Sequence, residues 1–139
     1  MNTIAHVLRI LCVAIAILAI PAATSAATSK KAGTARANVV GAAISRNLNG
    51  TYDIRVTIRS ADTGHEQYCD RFEILEPNGN LLYLHRIESP HADKQPFSVT
   101  ALGVKIPEDL AQVTIRARMK PGGASGKEKT IAIPPRKKK

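Results

Sequence analysis

Residues 51–59 read TYDIRVTIR, and their alternation decides the fold. Tyr52, Ile54, Val56 and Ile58 fall on one side of an extended chain; Asp53, Arg55, Thr57 and Arg59 fall on the other. Successive strand side chains point to opposite faces, so a strict period of two with β-branched residues marks a strand with one buried and one wet face. That is the pattern of an antiparallel sheet covered on one side. It returns at residues 111–118, where Val113, Ile115 and Ala117 alternate with Thr114, Arg116 and Arg118.

Working outward, further strands are expected at residues 37–45, 69–75, 80–87, 97–102 and 129–133. The turn NLNG (47–50) separates the first two strands, and EPNG (76–79) is a hairpin turn with Gly where a positive φ is wanted. IPEDL (106–110) is the best candidate for one helical turn, and PGGASG (121–126) reads as a flexible hairpin tip. Seven short strands with turn chemistry about every eight to twelve residues predict an all-β fold, an immunoglobulin-like or fibronectin-III-like antiparallel sandwich. The chain has no Trp, so the Cys–Trp–Cys core of true immunoglobulin domains is absent and the expectation rests on pattern.

Residues 1–26 have the three parts of an export signal. Arg9 is a sparse positive region, 10–20 is an apolar run, and PAATSA (21–26) is a small-residue exit with Thr24 and Ala26 at the peptidase pockets. Cleavage after Ala26 and a bacterial periplasmic or secreted destination are expected. Cys12 lies inside the apolar run, which is no place for lipidation, and it would leave with the signal. Cys69 would then be alone, without an internal disulfide and expected to be buried. The organisation expected is a signal (1–26), a flexible basic arm (27–36), a sandwich (37–134) and a basic tail (135–139). Of 139 residues, 113 would remain, enough for one two-layer core.

Composition narrows the function. The formal charge is +9, or +8 once Arg9 is removed, but aromatics are only 4 %. Base-stacking platforms for single-stranded nucleic acid are therefore nearly excluded, and no specific nucleic-acid partner is expected. Past the signal no apolar run approaches the ~18 residues of a membrane span. Arg136, Lys137, Lys138 and Lys139 could hold the chain to an anionic envelope surface.

In a sandwich of seven consecutive strands alternate loops share a pole, so loops 60–68, 88–96 and 120–127 should meet. The first holds Asp62, His65, Glu66 and Tyr68, with Asp70 just beyond; the second holds His91, Asp93 and Gln95. These eight are the candidate ligand-binding residues, for a protein or glycan of the cell envelope. By parity Tyr68 and Asp70 should point inward with Phe72 and Ile74, Asp70 pairing with backbone N–H groups or with Arg86. An alternative is a metal-handling protein using His65 and His91, for which Zn²⁺ or Cu²⁺ suits the mixed nitrogen and oxygen donors. No nucleophile elbow or phosphate-cradling glycine loop is present, so no enzyme is expected.

Asp62-Thr-Gly64, Tyr68-x-Asp70, Pro77-Asn-Gly79, Leu82, Arg86, Pro90-His91 and Gln95-Pro-Phe97 carry a resemblance. The string resembles an uncharacterised family of small secreted proteobacterial proteins with the pattern DTG…YxD…PDG…L…R…HPH…EQPF. It spans roughly residues 52–117 and implies export and a β-rich domain, without an activity. Ser89 stands where the first His of HPH would be and Lys94 where the Glu would be, removing one imidazole and one acid from any site the family shares.

Overall fold

The structure, a computed structural model, describes residues 35–135; the expected signal peptide (1–26), all but the last two residues of the arm (27–36) and the basic residues 136–139 lie outside them. Seven strands follow in order: β1 (Ala37–Arg46), β2 (Tyr52–Ser60), β3 (Tyr68–Leu75), β4 (Leu81–Arg86), β5 (Phe97–Val104), β6 (Gln112–Lys120) and β7 (Lys129–Ala132). They form two antiparallel sheets, ordered β1-β2-β5 and β4-β3-β6-β7. The protein is all-β, with both sheets packed as a sandwich, and every expected strand is present to within two residues at each end. Among the described residues no helix is long and apolar enough to cross a membrane. Residues 106–110 are not helical; a lone turn, closed by Leu110 N–H donating to the Pro107 carbonyl at 3.3 Å, joins β5 to β6.

The core follows the alternation. Ile54, Val56 and Ile58 of β2 meet Phe72 and Ile74 of β3 and Val113, Ile115 and Ala117 of β6, all fully buried. Each such aliphatic side chain contributes about 1.5–3 kcal/mol on burial. Where the period fails, a bulge intervenes. Register shifts fall between Val39 and Gly41, Cys69 and Arg71, Ile74 and Leu75, and opposite Tyr52 and Ile54. An extra residue in one strand re-aims its neighbours without ending the sheet. At the β5 bulge Gly103 takes φ +67°, and its N–H donates to the Asp53 carboxylate at 2.9 Å. Asn47 donates to the same Asp53 oxygen at 2.8 Å, and the two hydrogen bonds hold that carboxyl below its ordinary range.

The β3 bulge corrects the parity reading. Asp70 is the extra residue, so Cys69 and Phe72 both face the core while Asp70 and Arg71 sit toward the outer face; Tyr68, paired with Lys120, is buried as expected but outside the central cluster. Asp70 pairs with Arg71, at 2.9 and 3.0 Å, and not with Arg86. Residues 121–126 are likewise not a free hairpin tip. Ala124 accepts from Met119 N–H at 2.9 Å, and Gly126 N–H donates to the Ala37 carbonyl at 2.8 Å. A Cβ at Gly126 would run into the Asn38 side chain and the Ala37 carbonyl, so this close approach requires glycine.

Cys69 is fully buried and unpaired, and burial, reinforced by the nearby Asp62 charge, pushes its thiol up to about 12. A thiol held so far from its thiolate is inert toward alkylation. In a Cys12→Ser chain, maleimide labelling of Cys69 should appear only as the domain unfolds in denaturant. Labelling at native conditions, with far-UV circular dichroism unchanged, would contradict the buried placement.

Candidate functional site

The site begins where β2 ends. Asp62, two residues past the strand, accepts from the Ser60 hydroxyl at 2.6 Å and Cys69 N–H at 2.9 Å on one oxygen, and from His91 N–H at 2.8 Å on the other. One carboxylate thus ties the end of β2, the start of β3 and the β4–β5 loop together. Gln95 completes the clasp. Its amide oxygen accepts from Ser60 N–H at 2.9 Å, and its amide nitrogen donates to the His91 carbonyl at 3.0 Å and the Ser60 hydroxyl at 3.3 Å. The polar atoms of Asp62 and Gln95 are engaged internally, so they hold the loops in place. Ser60 was missed by sequence reasoning; the Ser-x-Asp spacing next to a strand end is the signal that could have found it.

Between the clasped loops lies an open groove of about 490 Å³ lined by Thr63, Gly64, Pro90, His91, Ala92, Asp93 and Lys94. The His91 ring stacks on Phe97, centroids 3.9 Å apart and nearly parallel at 5°, and its Nδ1 is buried without a hydrogen-bond partner. Serine, aspartate and histidine therefore converge here, but not as a hydrolytic triad. The Ser60 hydroxyl donates straight to Asp62, and the imidazole bonds to neither. Asp93 and Lys94 are exposed on the groove wall.

The other expected residues fall elsewhere on this pole. A tight turn, closed by Thr63 N–H on the Gln67 carbonyl at 2.9 Å, carries His65 and Glu66, both exposed. His65 meets Tyr68 edge-on at 6.2 Å, so the two imidazoles His65 and His91 engage different rings. Among the described residues no group of three His, Cys, Asp or Glu side chains is placed to hold a metal ion. His85 is not with them: it stacks on Phe72 at 4.9 Å, and burial lowers its pKa. Tyr68 lies under the Lys120 ammonium, 4.9 Å from its ring centroid, beside Asp70. Of the 120–127 loop, Lys120 reaches this side over Tyr68, while the rest is tied to β6 and β1: the Gly123 carbonyl accepts from Arg118 at 3.0 Å and Gly126 N–H donates to the Ala37 carbonyl.

Glu73 was also missed. Only 8 % exposed, it takes Arg116 at 2.7 and 2.9 Å, Arg118 at 3.3 Å and Arg71 at 3.7 Å on the outer face of the four-stranded sheet. Burial raises its pKa, but hydrogen bonds and charge from Arg116 and Arg118 outweigh that, and the carboxyl sits below its ordinary 4.5. The alternation of Arg71-x-Glu73 against Arg116-x-Arg118 hints at the cluster, but only the strand register reveals it.

No protein-family model matches the chain, and no curated protein and no solved structure matches it significantly.

Two outcomes follow from these carboxylates. Asp62→Ala strips the acceptor from two backbone N–H groups and should destabilise the fold by about 2–4 kcal/mol in urea unfolding. Asp62→Asn, which keeps one acceptor, should lose less. Since the Glu73 pKa is lowered on folding, its contribution is fully present above about 4.5 and is lost as pH falls through the lower folded value. Glu73→Gln should therefore flatten the acid limb of a stability–pH profile; an unchanged limb would assign that limb to other carboxylates.

Proposed function

We propose that this protein is an exported, non-enzymatic sandwich of the fibronectin-III type that binds an envelope protein or glycan at its loop pole. The fourth strand joins the sheet of the third and sixth, as in fibronectin-III domains, and not the sheet of the second and fifth, as in constant immunoglobulin domains. The segment 1–26 supports export, and the resemblance carried by residues 52–117 agrees with it.

One observation carries the reading: the Asp62–Gln95 clasp fixes the walls of the groove before any ligand arrives. Binding loops on a rigid sandwich gain affinity when they need not be ordered on contact. The groove offers one acid, one base and an imidazole among small apolar surfaces, a mixed lining suited to a polar partner.

A photo-crosslinking residue at Ala92 or Asp93, expressed in the exporting host, should give a discrete adduct that weakens in Lys94→Glu. The same residue at Leu48, fully exposed in the turn after β1, should give none. Identical adducts from both poles, or none from the groove positions, would overturn the proposal.

A further inference from the structure

The outer face of the four-stranded sheet carries a second chemistry, independent of the loop groove. Pairing sets Arg86 of β4 opposite Arg71 of β3, and Arg71 opposite Arg118 of β6, so three arginines stand in one row across three strands. Adjacent strands are only about 4.8 Å apart. Like charges directly opposite one another oppose pairing, so such a row needs anions to hold it. The protein supplies them for part of the row alone. Glu73 serves Arg116, Arg118 and Arg71 together, and Asp70 serves Arg71.

At the β4 end of the row the compensation stops. Arg86 is exposed and, among the described residues, has no carboxylate within ion-pair distance, and the Lys120 ammonium rests over the Tyr68 ring and, among the same residues, not on an acid. These two cations flank a hollow of about 400 Å³ with Tyr68, Asp70, Ile87 and Glu88. Asp70 is already bound to Arg71 from both oxygens, leaving Glu88 as the one exposed acid on the rim.

We propose that this face binds the phosphate groups of a linear polyanion, seating one between Arg86 and Lys120, while the carboxylate-paired Arg71 and Arg118 add only the remaining positive potential along the row. A guanidinium presents paired N–H donors that match phosphate oxygens, and an ammonium completes the site as a point charge. A linear polymer fits better than a flat anionic surface. Sheets twist by roughly 20–25° from strand to strand, so a plane touches few of these cations, whereas a flexible chain follows the row.

The test is calorimetric titration of the full chain with short linear inorganic polyphosphate at low salt. Arg86→Gln combined with Lys120→Gln should weaken binding about tenfold or more, because two charge-assisted contacts are lost. Arg55→Gln combined with Arg59→Gln removes the same charge from the exposed face of the other sheet and should weaken it less than about threefold, through screened long-range attraction alone. Thermal melts of both double variants confirm folding. Equal losses in the two variants, or no polyphosphate binding by the wild type, would overturn the site. Binding to phosphatidylglycerol vesicles without binding to polyphosphate would overturn it too, in favour of a membrane surface. None of these outcomes bears on the loop groove, whose residues are unchanged throughout.

Discussion

The contact between the inner faces of the two sheets is the constraint on which everything else in this molecule rests. Ile54, Val56, Ile58, Phe72, Ile74, Val113 and Ile115 are sealed between the layers, and the one cysteine among the described residues is unpaired. With no covalent staple, a shift of one residue in any strand would carry its apolar set to the solvent side. Two of the four bulges are answered locally by a carboxylate. Asp53 accepts from the Gly103 amide at the β5 bulge, and Asp70 at the β3 bulge binds the neighbouring Arg71. Polar side chains at the irregularities keep the layers in register.

Strand existence was legible for this reason: burial of one face forces a period of two, and residues 51–59 and 111–118 show it without interruption. The bulge at Asp70 was not legible, because an inserted residue leaves composition unchanged and only breaks phase. That single slip turned Asp70 away from the core and placed Cys69 in it. The stretch 121–126 misled for a different reason. Small residues are equally the mark of a mobile tip and of backbones that pass closely, and Gly126 against Ala37 is the second case.

At the pole, the 60–68 and 88–96 loops meet as the strand order predicts, but the division of labour within them was not legible. Residue type says that Asp62 and Gln95 are polar; it does not say that three backbone segments end within their reach. Apart from the Ser60 hydroxyl, their donors and acceptors are main-chain groups of Ser60, Cys69 and His91, which have no signature in the sequence. The residues left facing the groove, Asp93 and Lys94, are those the network does not use. Between them Asp93 and Lys94 give the groove wall one negative and one positive charge.

Asp62 and Glu73 solve opposite electrostatic problems. Asp62 is satisfied by N–H and O–H dipoles in short hydrogen bonds, which mobile ions barely screen. Glu73 is satisfied by three guanidiniums, and those attract one another's counterions as well as the carboxylate. Raising salt therefore leaves the loop clasp intact while relaxing the mutual repulsion along the arginine row. Pole geometry and sheet-face charge are decoupled in this fold, since the hydrogen bonds that shape the groove join Ser60, Asp62, Cys69, His91 and Gln95 and include no guanidinium.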